Sequence, residues 1–383
     1  MKQKKKRRMI KMSEEVEIKG SEENKEKEHI KNRNEFLFLY DIKNGNPNGD
    51  PDENRPRIDD VTKRCYVTDV RLKRFVRDYW VQTEGEDSVL VTELNRKTVI
   101  LTERVKQRLI KDQIGEEAQK TIKGEELLEK ILNYFTDLRM FGSPLAFKFP
   151  DKQEFKEIKK NWGETGTITG PIQINFGETL HQVEETTFHG TSTFGSREER
   201  EQGTFTTYYA IPYGLIAFHG VANENAAKTT GLTDEDLNKF KIALWKGVRE
   251  PTSAHTRTKR GQQPRLLLNI VYKEKIKIEE NGDKKEVPTE YHIGALEEKV
   301  ALIPTAEVNE EINIRKIGDY TLDFSKLVGS IRKAKDKIER IEYCLSPEFA
   351  ELYGNRLVPE LTGVVGEEKV IDLDIDKLAE KKG

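Results

Sequence analysis

Apolar residues first gather at Phe36-Leu-Phe-Leu-Tyr-Asp-Ile42, a run of strand length that ends in the turn-forming segment Asn44-Gly-Asn-Pro-Asn-Gly-Asp-Pro51. Between Thr68 and Trp80 the period changes. Leu72, Phe75, Val76 and Tyr79 fall at i, i+3, i+4 and i+7, which predicts an amphipathic helix capped by Thr68 or Asp69. Residues 81–165 are charged and mainly helical in pattern, with Leu127, Leu128, Ile131 and Leu132 as a small core stripe, and read as an inserted lobe. Gly170-Pro-Ile-Gln-Ile-Asn-Phe176 predicts a second core strand, after which residues 178–207 turn polar and Thr-rich. Tyr208–Val221 then predicts a strand interrupted at Pro212. Thr233–Val248 predicts a helix with Leu237, Phe240 and Leu244 on one face, and Arg265–Tyr272 another strand. Asn281-Gly282 suits a two-residue hairpin turn.

Without the insertions the order is strand, helix, strand, strand, helix, strand. This predicts an α+β chain with the ferredoxin-like βαββαβ arrangement shared by RRM-like folds. The aromatic signature of a standard RNA-recognition motif is missing, so base stacking on the sheet face is not expected. No internal repeat of fixed period is present. Residues 1–33 are expected to form a flexible charged tail, and residues 34–383 one domain with insertions and a C-terminal extension from 276.

Composition adds a constraint on shape. Of the 383 residues, 35% are hydrophobic and 35% charged, against roughly 25% charged in ordinary globular domains. Such a composition predicts an elongated chain or one that buries surface only on assembly, with a thermophilic host as a second explanation. The net charge of −2 hides an uneven distribution: residues 1–32 hold 11 Lys+Arg and 7 Asp+Glu, and residues 279–383 hold 16 and 24. A nucleic-acid partner would therefore have to be held by local patches. Cys65 and Cys344 lack CxxC spacing, which speaks against a zinc knuckle or disulfide framework and fits a reducing compartment. No apolar run approaches the ~18 residues of a membrane span, so a soluble, cytoplasmic protein is expected.

The predicted helix after the Asn/Gly loop carries the strongest chemical signal. Lys73, Arg74 and Arg77 fall opposite the apolar face, with Arg71 at its boundary. Over residues 63–77 six bases (Lys63, Arg64, Arg71, Lys73, Arg74, Arg77) meet one acid, Asp69. That pattern suits successive phosphates of one strand, or else a solvated basic face. The glycines of the 44–51 loop permit a concave turn that could offer N–H groups to a phosphate. Its resemblance to a calcium loop fails at the twelfth position, where Arg55 replaces the required acid. Arg249, Arg257, Lys259, Arg260 and Arg265 form a second basic stretch. GxxxxGK[ST], HExxH and GxSxG are all lacking, and His181, His189, His219 and His255 are dispersed. Asp50 and Asp52 are the only carboxylates to weigh for metal-assisted RNA cleavage, without partner ligands in view. No catalytic residue, metal or cofactor is expected.

Six segments together resemble the RNA-binding backbone subunit of type I Cascade complexes, nearest to the subtype I-B branch of the RAMP group. They are Asn-Gly-Asn-Pro-Asn-Gly-Asp-Pro (44–51), Pro-Arg-Ile-Asp (56–59), Val-Thr-Asp-Val-Arg-Leu-Lys-Arg-Phe-Val-Arg (67–77), Arg-Met-Phe-Gly (139–142), Gly-Pro-Ile-Gln (170–173) and Ile-Pro-Tyr-Gly-Leu (211–215). The resemblance spans most of residues 34–275. It implies a ferredoxin-like palm, fingers at 81–168 and a β-hairpin thumb at 178–207. It also implies CRISPR RNA as ligand, target DNA reached through that guide, further copies of the chain in a helical filament, and other Cascade subunits as partners, with no membrane. Carried over by position, Lys73, Arg74 and Arg77 match the phosphate-binding helix, with Thr68 at its N-terminal end. Asn46, Asn48 and Arg57 fall in the loop lining the RNA groove, and Phe188 and Phe194 are candidates for an apolar thumb wedge. Two other readings stand beside a non-catalytic guide scaffold: an RNA-cleaving subunit of the type III kind using Asp50, and a stand-alone RNA-binding protein.

Overall fold

The computed structural model describes residues 29–94, 97–149, 155–163, 166–191, 205–250, 261–280 and 283–380. Strand β1 (Asn34–Gly45) is followed by the two-residue strand β2 (Tyr66–Val67) and helix α1 (Asp69–Glu84). A helical lobe then ends in helix α2 (Thr136–Phe141) and a short helix, Phe155–Trp162. Next come β3 (Ile172–Ile174), β4 (Gly177–Thr179), β5 (Thr186–Thr191) and the long β6 (Phe205–Ala222). Helix α3 (Asp234–Arg249) leads into β7 (Gln262–Tyr272), and the C-terminal region supplies β8 (Ile338–Leu345) and β9 (Val370–Asp372). The fold is α+β, with one sheet in the order β9-β8-β7-β1-β6-β4-β2 and with β3 and β5 also paired to β6.

The unbroken apolar run of β1 has a plain cause, since both faces of the strand are covered. Phe36, Phe38, Tyr40 and Ile42 enter a core with Leu72 and Phe75 of α1 and Leu237 and Phe240 of α3. Leu37 and Leu39 enter a second core on the opposite face, with Leu268, Ile341, Phe349 and Leu357. Of the 26 buried residues of that second core, 17 come from beyond residue 276, so the C-terminal region builds the far side of the sheet. The ordered body also begins before Phe36: Ile30 is buried and its N–H donates to the Leu232 carbonyl.

Local chemistry fixes the element ends. Thr68 caps α1 by accepting the Arg71 N–H, and Thr233 and Asp236 close a reciprocal capping box on α3. Pro212 does not interrupt β6. In the pairing with β1, Lys43 meets Tyr213 and Gly45 meets Ile211, which sets Pro212 opposite Asn44, a residue with φ of 48°. The second expected core strand shrinks to three residues. Gly170 lies backbone to backbone against Phe141 and Gly142, and Phe176 at the far end faces solvent. Strands Lys275–Glu280 and Asp283–Pro288 pair as a hairpin, as Asn281-Gly282 predicts, although the turn itself lies outside the described residues.

The lobe has its own core of Leu90, Val105, Leu109, Leu127, Ile131, Phe135 and Trp162. It joins the sheet at a seam where a Cβ on Gly142 (φ +68°) would stand 2.1 Å from the Ile168 carbonyl oxygen, and one on Gly170 2.1 Å from the Phe141 carbonyl carbon. Among the described residues no helix is long and apolar enough to cross a membrane.

Candidate nucleic-acid interface

The Asn/Gly loop is held by its own side chains. The buried Asn48 accepts both the backbone N–H and the hydroxyl of Thr68, each at 2.9 Å, and so ties the loop to the start of α1. The equally buried Asn46 donates to the Asn54 carbonyl at 2.6 Å. Asp50 accepts the N–H groups of Asp52, Glu53 and Asn54 through one carboxyl oxygen, and these bonds, Glu53 first, hold its carboxyl below the usual range. Asp50 is thus the anchor of a tight turn. Among the described residues no group of three or more His, Cys, Asp or Glu is placed to hold a metal ion.

The expected cationic face of α1 is altered by its partners. Lys73 pairs with Asp69 at 2.8 Å and Arg74 with Asp78 at 2.6 Å, both one helical turn apart. Arg77 is 9% exposed; its Nε bonds Asp137 of α2 at 2.9 Å. The same carboxylate accepts the N–H groups of Leu90 and Val91, so Arg77 locks the lobe to α1. An open face of three bases is therefore corrected to one exposed ion-paired base, Arg74, one largely covered ion-paired base, Lys73, and one buried clamp, Arg77. Arg71 lies over the Phe75 ring at 4.2 Å, where burial works against its charge. Its Nε has no hydrogen-bond partner.

A different segment offers unpaired cations. Residues 56–67 double back as a narrow ribbon: Ile58 bridges Cys65, the Tyr66 N–H donates to the Arg57 carbonyl, and Asp59 closes the turn by accepting from Val61 and Thr62. Arg57, Lys63 and Arg64 lie on this ribbon, and none forms an ion pair among the described residues. Arg57 uses only its Nε, on the Gly49 carbonyl. Sequence reasoning counted Lys63 and Arg64 but did not single them out. Beside the ribbon, Arg55 pairs with Glu185 at 2.6 Å and lies over the Tyr209 ring, which ties the loop to the root of the β5–β6 hairpin.

Phe188 sits on β5 opposite Tyr208 and is 41% exposed. Phe194, Arg257 and Arg260 lie outside the described residues. Arg265, from the second basic stretch, points inward and is ion-paired to Asp41 at 2.7 Å, so it contributes nothing to an open basic surface. Among the histidines, His219 bonds the buried Glu35 at 2.9 Å, and burial holds His181 below the ordinary imidazole range.

A family profile described as CRISPR-associated protein Cas7 matches residues 32–325. The CRISPR-associated protein Cas7 of Haloferax volcanii is 31% identical over 318 residues, covering 81% of this chain and 86% of the relative. A chain of a solved CRISPR RNA-guided surveillance complex in a pre-nicking state aligns with 91% of this chain and 98% of its own length, at a TM-score of 0.47 and 10% identity. A second, from a CRISPR RNA-guided surveillance complex, aligns over 91% and 100%, at 0.40 and 13%.

Proposed function

Because the chain belongs to the family of CRISPR-associated protein Cas7, we propose that it is a non-catalytic backbone subunit that binds the CRISPR RNA of a type I Cascade interference complex. In this reading β7, β1, β6 and β3 are the four strands of a ferredoxin-like palm. Their fourth-first-third-second order, with every neighbour antiparallel, supports that reading. Residues 81–168 are then the fingers, 178–207 the thumb, and 276–383 an extension that completes the sheet. Copies line up along the guide, other Cascade subunits join them, and target DNA is read by pairing with the guide rather than by the protein.

The single observation that carries the RNA reading is the set of cations Arg57, Lys63 and Arg64, without ion pairs among the described residues and grouped on one ribbon at the root of the β5–β6 hairpin. A guanidinium without a carboxylate partner is ready for a phosphate, and phosphate contacts hold a strand whatever its sequence. The Asp50 turn favours this scaffold over an RNA-cleaving relative, since one oxygen of the carboxylate such chemistry would use is already committed to three backbone N–H groups. The test is native mass spectrometry with a single-stranded RNA several footprints long. Several copies should load on each strand, affinity should fall steeply with salt, and the RNA should stay intact with either wild type or Asp50→Ala. One copy per strand would favour a stand-alone binder, and cleavage lost in Asp50→Ala would favour an enzyme.

A further inference from the structure

The same edge of the sheet carries an aromatic pair that phosphate binding does not use. Along the ribbon, Cys65 and Val67 are fully buried, so Arg64 and Tyr66 point the other way, outward. Across from them β4 alternates in step: Gly177 and Thr179 face in, Phe176 and Glu178 face out. Gly177 enforces this, because a Cβ there would stand 2.4 Å from the Phe218 ring. Tyr66 pairs with Glu178 and Val67 with Gly177, which makes Tyr66 and Phe176 diagonal cross-strand neighbours. Their rings lie 6.5 Å apart and are nearly parallel at 7°, and Phe176 is 56% exposed.

A large aromatic ring left open to water beside a second parallel ring costs solvation unless something covers it. Its surroundings select the occupant. Arg64 shares the outward face, Arg57 and Lys63 stand on the same ribbon, and none of the three forms an ion pair among the described residues, Lys63 only lying near Asp59. Glu178 stands opposite Tyr66, so an anionic backbone would run along the Arg64 side. Flat aromatic surface flanked by unpaired cations on one side is the arrangement that takes an unstacked base while holding its phosphate. We propose that Tyr66 and Phe176 form a stacking platform for a base of single-stranded RNA, with Arg64 on the adjoining phosphate. This platform rests on the RNA-binding reading above and places one base contact at the sheet's edge rather than on its face.

The test uses the full chain and an RNA short enough for one subunit, about 6–8 nucleotides, with 2-aminopurine at each position in turn. Wild type should change the fluorescence at one position, the signature of a base leaving its neighbours for the protein rings. Phe176→Ala should lose that signal and weaken binding by about 5- to 100-fold, with the slope of log affinity against log salt unchanged. Phe176→Trp should keep both. Arg64→Ala should instead lower the slope by about 0.7. If wild type binds and Phe176→Ala binds equally well with the same fluorescence, the platform is overturned while RNA binding stands. If wild type binds no RNA, the broader reading itself fails. If Phe176→Ala binds the short RNA normally but loads fewer copies on a long one, the rings meet a neighbouring copy and the base assignment is wrong.

Discussion

Helix α1 and the ribbon that precedes it hold similar numbers of basic residues, yet they spend them differently. On the helix, Lys73, Arg74 and Arg77 each have a carboxylate within 2.9 Å. On the ribbon, Arg57, Lys63 and Arg64 form no ion pair among the described residues, Lys63 only lying near Asp59. Counting bases along a sequence treats the two alike, whereas electrostatics does not. A paired cation must leave its partner before it can meet a phosphate, and a buried one leaves an uncompensated carboxylate behind. The helix bases are therefore tied into the architecture, and the ribbon bases are the ones left without an ion pair among the described residues.

The comparison breaks most visibly at Arg77. Arg77→Ala strands Asp137 in the seam between lobe and helix and is expected to destabilise the chain by about 3–5 kcal/mol in urea denaturation. Unchanged stability with RNA binding abolished would reverse the assignment. The ribbon double variant Arg57→Ala with Arg64→Ala should do the opposite. Its stability should stay within about 0.5 kcal/mol, while the salt slope of RNA binding drops by about 1.4 to a similar degree for unrelated sequences. Lys73 sits between these cases. Lys73→Ala, which breaks a largely covered pair, should cost about 1 kcal/mol, and Asp69→Asn, which releases the lysine, should tighten RNA binding in a filter assay. A weaker complex from Asp69→Asn would mean that Lys73 has no part in it.

The smallest effect concerns pH. Backbone N–H groups, Glu53 first at Asp50 and Thr62 first at Asp59, hold both turn carboxyls below their ordinary 3.8. A depressed carboxyl contributes its stabilisation above the unfolded value and loses it as pH falls through the folded one. The loop and ribbon turns should thus be insensitive between pH 7 and 5 and loosen only in acid below that ordinary value. Carboxyl carbon NMR titration should give midpoints under 3.8 for both; ordinary midpoints would show that the turns do not persist in solution.

Local rules made much of this legible. The cap at Thr68, the apolar face of α1, the box at the start of α3 and the strand at Phe36–Ile42 all follow from spacing within a dozen residues. The hidden features come from distant partners. Asp137 lies 60 positions from Arg77, Asp236 lies 97 from Arg139, and Asp41 lies 224 from Arg265. No local pattern assigns such pairs, and each turns an apparent surface base into a structural one. Two signals were nevertheless present. Asp69/Lys73 and Arg74/Asp78 stand at helix-pair spacing, so those ion pairs could have been read directly. The lack of alternation in β1 announced a cover on both faces, and the only unassigned chain able to provide it lay beyond residue 276. The ribbon's importance was harder to foresee, because its bases matter through what they do not touch.

The seam between Gly142 and Gly170 has a consequence for scale. With two main chains in direct contact, no side chain there can relax to absorb a change of angle, so the tilt of the lobe is set as rigidly as a mitred joint. In a row of identical copies a tilt error recurs at every step and accumulates along the row. Gly170→Ala, whose methyl would lie 2.1–2.5 Å from main-chain atoms of Met140, Phe141 and Gly142, would therefore have to force the two chains apart, and the cost would fall on the isolated subunit before any second copy joins it.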